Sequence, residues 1–197
     1  MPLRIFEPRY RTMLADCAER GHRFVILPPG EESEAPAAGA VGTIARIRAI
    51  QPLPEGRANV VVSGEQRVTL ERLESASHPY LVGSVAPLDD VPDPQVPAPV
   101  DLQSLKGLAE RYATALGTIA DVERDPELSD DPSLMSFQVA ALIEWDFPTK
   151  LRFLAVRSAR ERVARLLHSL PAMVVEVEGR AELHRRATRN GKGAHQL

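Results

Sequence analysis

The spacing of apolar residues changes once along this chain, from a period of two to a helical period, and the change falls across a stretch rich in proline and aspartate. Residues 89–104 read DDVPDPQVPAPVDLQS, with prolines at 92, 94, 97 and 99 and aspartates at 89, 90, 93 and 101. Such prolines favour extended backbone and resist collapse onto either side, so the stretch reads as a linker. A sheet period on one side and a helix period on the other predict an α+β chain with segregated halves. The expected organisation is a β-rich part over 1–88, the linker over 89–104, a helical bundle over 105–171 and a basic, flexible tail over 172–197.

The β half opens with one helix. Tyr10, Met13, Leu14, Cys17 and Ala18 recur at helical spacing, Pro8 suits the first turn, and Gly21 suits the position past the end, which predicts a helix from Pro8 to about Glu19. Cys17 lies on that apolar stripe and reads as a small packing residue rather than a reactive thiol. Short strands are predicted over 24–27, 41–50, 59–63, 66–70 and 80–88. Val41, Thr43, Ala45, Ile47 and Ala49 share one face of the second, with Arg46 and Arg48 on the other. Pro54-Glu55-Gly56-Arg57 reads as a hairpin connection in which Gly56 supplies a positive φ. Residues 28–40 (PPGEESEAPAAGA) read as a mobile surface loop.

In the helical half, Leu105, Leu108, Ala109, Tyr112, Ala113 and Leu116 form one stripe. A second helix opens at Asp131-Pro132 and runs toward Trp145. A third, over 147–157, is entered at Pro148. Ser158 and Glu161 form a capping box for a fourth, with Val163, Leu166, Leu167 and Leu170 on its apolar face and Pro171 at its end. Residues 172–178 (AMVVEVE) fit strand and helix equally well.

The composition excludes several functions. The 197 residues carry a net charge of −3, well mixed, which gives no single-sign field for nucleic acid or an anionic membrane. One cysteine permits no internal disulfide, and neither a signal-peptide core nor an apolar run of membrane-spanning length is present, so a reducing cytoplasm is the expected compartment. Gly191-Lys192 is no phosphate loop, the five histidines have no metal-site spacing, and no serine or cysteine sits in a nucleophile motif. No catalytic, cofactor or metal residue is therefore assigned. Asp89/Asp90 and Asp130/Asp131 read as solvated caps. Arg46, Arg48, Arg57, Arg67 and Arg72 raise RNA as a ligand. Interleaved Glu55, Glu65, Glu71 and Glu74 make a charge-balanced outer sheet face the stronger reading.

Pro2-Leu3-Arg4-Ile5-Phe6-Glu7-Pro8-Arg9-Tyr10 resembles the segment that opens the first helix of the Lon protease N-terminal domain family. The resemblance continues through Gly42-Thr43-Ile44-Ala45-Arg46-Ile47, Gly64-Glu65-Gln66-Arg67-Val68 and Pro79-Tyr80-Leu81. It extends, more weakly, through Asp146-Phe147-Pro148-Thr149-Lys150-Leu151 and Arg162-Val163-Ala164-Arg165-Leu166-Leu167. It implies a PUA-like twisted β-sandwich or pseudo-barrel followed by a helical bundle. The implied role is polypeptide or partner-protein binding, without the ATPase and serine–lysine peptidase that accompany the domain in full-length Lon. Phe6, Glu7, Pro8, Arg9, Tyr10, Gly42, Gly64, Arg67, Pro79 and Tyr80 are then signature positions that specify packing, helix start, turns and sheet pairing. A binding groove is expected where sheet meets bundle, around Trp145 and Phe147, although core packing is the commoner role for such aromatics. The family places an apolar strand ahead of the PLRIFEPRY-like segment, whereas Met1 stands directly before it here. The natural start is therefore expected about 15 to 30 residues upstream, one strand with its turns.

Overall fold

The structure is a computed structural model that describes residues 1–30, 35–74 and 78–192, with side chains described as far as 188. It divides into two compact units, Met1–Asp89 and Asp90–Leu197.

The first unit is a five-stranded antiparallel sheet with one helix. Strands β1 (Pro2–Ile5), β2 (Arg23–Ile26), β3 (Val41–Pro52), β4 (Ala58–Leu73) and β5 (Gly83–Pro87) pair in the order β1-β4-β3-β2, with β5 also on β4. Helix α1 (Pro8–Glu19) follows β1 with proline in its first turn, and Tyr10, Leu14 and Cys17 pack on a core of Ile5, Ala45, Ile47, Ala58, Val60 and Val62. The two runs expected at 59–63 and 66–70 form one strand, β4, because the chain passes Gly64 as a bulge rather than a turn. Pairing steps from Ala45/Gly64 to Ile44/Gln66 and leaves Glu65 unmatched. One extra residue reverses the alternation of faces, so Val68 and Leu70 are buried outside the cluster that holds Val60 and Val62. A second bulge at Arg48 turns Ala49 away from the face it was expected to share with Ala45 and Ile47.

The β3–β4 connection contains consecutive left-handed residues, Glu55 (φ 64°) and Gly56 (φ 71°), which is the backbone a tight hairpin requires. Of the loop expected over 28–40, residues 31–34 lie outside the described residues. Its end is fixed to the sheet, because Gly39 N–H donates to the Leu70 carbonyl (2.8 Å) and Leu70 N–H to that of Ala40 (2.9 Å).

The second unit holds α2 (Pro99–Ala120), α3 (Pro132–Leu142), α4 (Phe147–Leu154) and α5 (Ala159–Lys192). Asp131 caps α3 by accepting from Ser133 N–H (2.7 Å) and Leu134 N–H (3.2 Å). Half of the expected capping box forms. Glu161 N–H donates to Ser158 Oγ (3.0 Å), while the Glu161 carboxylate pairs with Arg165 (2.6 Å). Two expectations fail here. Residues 99–104 belong to α2 rather than to a linker, and α5 continues through Pro171 as far as Lys192. Proline removes one backbone donor, but Leu166, Leu170 and Val174 are fully buried, with Val177 and Ala181 nearly so, and that burial on both sides outweighs the loss. Residues 172–178 are accordingly helix, and the tail's structured part extends a buried stripe; 193–197 lie outside the described residues. Arg111–Glu178 and Asp121–His184 advance in the same direction along both helices, so α2 and α5 run parallel. Among the described residues no helix is long and apolar enough to cross a membrane.

Candidate functional site

The helical unit is organised around one buried cation. Arg162, on the first turns of α5, has no exposed surface. An arginine carries five N–H donors in a fixed fork, and here all five are used. Nε donates to Ser136 Oγ (2.8 Å), Nη1 to Asp90 Oδ1 and the Val156 carbonyl (both 2.8 Å), and Nη2 to Asp90 Oδ2 (2.6 Å) and Ser133 Oγ (2.9 Å). Ser133 Oγ in turn donates to Asp90 Oδ2 (2.7 Å). A two-pronged pair of this kind offsets the desolvation that would make an isolated buried charge prohibitive.

Asp90 therefore belongs to the helical core network and is not a solvated cap. The next residues follow it onto the helices. Val91 N–H donates to the Arg157 carbonyl (2.8 Å), and the Asp93 carboxylate accepts from Ser158 Oγ (2.9 and 3.0 Å) and Arg160 N–H (3.2 Å) at the start of α5. Neither Arg162 nor Asp90 stood out in the sequence as part of a site. The available signal was an arginine in register with Leu166 and Leu170, on an otherwise apolar helical stripe.

An aromatic column rises from this cation. The Arg162 guanidinium lies 4.2 Å from the Phe137 ring centroid; Phe137 meets Phe153 edge-to-face at 6.0 Å; Phe153 meets Trp145 at 5.1 Å. Trp145 is thus a half-buried packing residue of the helical cluster. Two residues on, Phe147 is the first residue of α4 and is 55% exposed. Its backbone is held by Asp146, whose carboxylate accepts Thr149 N–H at 2.7 Å. The Thr149 hydroxyl and amide, with Arg152 nearby, keep that carboxyl below its ordinary titration range. A large aromatic side chain is therefore displayed from a capped helix start.

The signature residues of the first unit serve mainly its backbone. Pro8 starts α1, and the Glu7 carbonyl accepts from Tyr10 and Arg11 N–H (3.1 and 3.0 Å). Arg9 pairs with Glu7 (2.8 Å) and lies over the Tyr10 ring at 4.7 Å. Gly42 is a steric requirement, since an added Cβ would stand 2.3 Å from the Ile26 carbonyl oxygen. Gly64 and Arg67 are strand residues opposite Ala45 and Thr43. Tyr80 ties its loop to α1 by donating to Asp16 Oδ2 (2.5 Å) and stacks on His78 at 5.1 Å, next to Pro79. That hydrogen bond raises the Tyr80 hydroxyl's pKa. Burial does the same to Cys17, which keeps its thiol protonated and fits a packing role. Phe6 departs from its expected packing role and is 59% exposed.

The family model of the ATP-dependent protease La (LON) substrate-binding domain matches residues 1–171. The chain belongs to this family. Two solved structures share its fold. A Lon N-terminal domain protein from Xanthomonas campestris has a TM-score of 0.60 at 21% identity, over 86% of this chain and 88% of that one. The N-terminal domain of Mycobacterium avium complex Lon protease has a TM-score of 0.56 at 19% identity, over 87% of this chain and 90% of that one. The expected α+β LON N-terminal fold is what the chain adopts. The family match stops at Pro171, inside α5, so the distal half of that helix lies beyond it.

Proposed function

We propose that this LON-family chain is a non-catalytic polypeptide-binding module that engages unfolded or partly folded segments, with Phe147 as an aromatic anchor. The observation that carries this reading is the exposure of Phe147 on a helix start fixed by Asp146, two residues along the chain from Trp145 of the aromatic column. Binding anchors are characteristically aromatic and preorganised, so little ordering cost is incurred when a ligand arrives. The name of the family, a substrate-binding domain, points the same way. No cofactor is required for such a role, and the cytoplasm remains the proposed compartment.

RNA binding through the sheet arginines draws less support. Glu65 takes both Arg23 (2.5 Å) and Arg46 (2.8 Å), Arg48 donates to Ser63 Oγ (2.7 Å), and Arg57 faces Glu55 at 3.6 Å. These contacts occupy guanidinium donors that phosphate would otherwise take, and Glu65 and Glu55 offset part of the positive charge.

The test is a binding titration with one protein in two states, reduced and unfolded against native. The reading predicts tighter binding to the unfolded form and no ATP hydrolysis by the purified chain. Equal affinity for both states, or ATP turnover that follows the protein peak through repurification, contradicts it.

A further inference from the structure

Around Val61 the pairing register of the sheet fixes what its outer face carries, because residues directly opposite one another on paired strands share a face. Ala45, Ile47, Val60 and Val62 turn inward to the buried cluster, so the residues between them turn outward. Val61 stands opposite Pro2 on β1 and Ala49 on β3. All three are exposed, Val61 to 47%. This apolar row lies between two polar ones. On one side Asn59 is opposite Arg4 and Gln51; on the other Ser63 is opposite Arg46, which is opposite Arg23. The bulge residue Arg48 turns to the same face, since its Nε donates to Ser63 Oγ (2.7 Å).

These rows are short of carboxylate. Arg4, Arg23, Arg46 and Arg48 stand on them with Glu65, which is divided between Arg23 and Arg46. Among the described residues the Arg4 side chain has neither a hydrogen bond nor an ion pair, and Arg48 has a hydroxyl for a partner. The other acids lie at the margins. Glu55 faces Arg57 at the hairpin tip (3.6 Å), Glu7 pairs with Arg9 past the end of β1 (2.8 Å), and Asp89 accepts from Gln66 beyond Ser63 (3.4 Å). The loop between β2 and β3 leaves the sheet level with Arg67 and returns at Leu70, about 20 and 30 Å along β4 from Val61. An aliphatic strip bounded by guanidinium groups that no carboxylate compensates selects a ligand that brings hydrocarbon and negative charge together. Single-stranded nucleic acid draws on aromatic stacking platforms, and none of these rows carries an aromatic residue. A second copy of this face would set arginine against arginine. An extended polypeptide fits, since its residues i−2, i and i+2 point to one side about 7 Å apart, the spacing of successive outward rows on the sheet.

We infer that this face is a second binding surface, specific for an extended acidic segment in which an aliphatic residue has a carboxylate two residues to either side. The aliphatic side chain covers Val61, and the carboxylates reach Arg4 on one side and Arg48 on the other. The surface goes beyond the Phe147 anchor and does not depend on it. The test uses the full chain and a fluorescein-labelled peptide of sequence glutamate-glycine-leucine-glycine-glutamate, followed by fluorescence anisotropy, with a counterpart carrying lysine for glutamate and a labelled oligouridylate. The glutamate peptide should bind at least tenfold more tightly than the lysine peptide and weaken as salt is raised. Arg4→Glu and Val61→Ser, both at exposed positions, should each weaken it severalfold with circular dichroism unchanged; if Arg4→Glu disturbs the fold, Arg48→Gln carries the same expectation. Equal or tighter binding of the lysine peptide, oligouridylate binding tighter than that of the glutamate peptide, self-association through this face in place of peptide binding, or glutamate-peptide affinity indifferent to these substitutions overturns the inference. Phe147→Ser should leave glutamate-peptide binding intact, so failure of either site is read separately from the other.

Discussion

The two units use the same chemical pair, an arginine with a carboxylate, in opposite ways. In the sheet unit, Arg23, Arg46 and Glu65 meet on the solvent-facing side, where water and salt screen the attraction and such pairs contribute little. In the helical unit, Arg162 and Asp90 meet in the core and close a network with two serines and a backbone carbonyl. The first arrangement offsets part of the positive charge on an exposed sheet face. The second fixes how the segment from Asp90 to Asp93 joins the helices, because the cation has no alternative partner once water is excluded.

That contrast is open to direct attack. Arg162→Met should cost the helical unit about 3–5 kcal/mol, since it strands the Asp90 carboxylate and two serine hydroxyls beside the core. Adding Asp90→Leu should recover part of the loss, because the penalty comes mainly from the partner left unpaired. Urea unfolding of both variants checks this, and equal stability of the single and double variants would contradict it. Leu170→Ala, at a fully buried position next to Pro171, should cost about 2–5 kcal/mol by opening a cavity.

Smaller effects belong to the sheet unit. Glu55 is held left-handed without being glycine, so Glu55→Gly should stabilise the hairpin by about 0.5–1 kcal/mol, read as a raised midpoint in the same assay. The smallest is electrostatic. The hydrogen bond from Arg23 lowers the pKa of Glu65, followed by the charges of Arg23, Arg46 and Arg48. A carboxylate with a depressed folded pKa contributes its stability fully above the unfolded pKa and loses it as pH falls through the folded value. The difference in melting temperature between the wild type and Glu65→Gln should therefore be present at neutral pH and vanish in strong acid. A constant difference across that range contradicts it.

Local chemistry was the legible part of the sequence. Proline at the start of α1, Asp131-Pro132 before α3 and Ser158 before α5 each place a helix start through interactions within a few residues, and each helix begins there. What was hidden depended on distant partners. Pro171 carries a strong local stop signal, and the burial of Val174, Val177 and Ala181 overrides it. The bulges at Arg48 and Glu65 insert one residue into an alternating pattern, and alternation alone does not reveal which strand slips. Asp90 looked like linker because its partner lies 72 residues away. Of the two aromatics proposed for binding, Trp145 has become a packing residue and Phe147 a displayed one, a difference that a spacing of two residues does not disclose.

The most direct test of the polypeptide-binding account is the affinity of Phe147→Ser for a reduced, unfolded protein, measured beside its melting temperature. Because Phe147 is exposed, the account predicts an unchanged melting temperature, as expected for surface substitutions. It also predicts at least a tenfold loss of affinity, equivalent to about 1.4 kcal/mol and typical of an anchor residue. Wild-type affinity in the folded variant would contradict it.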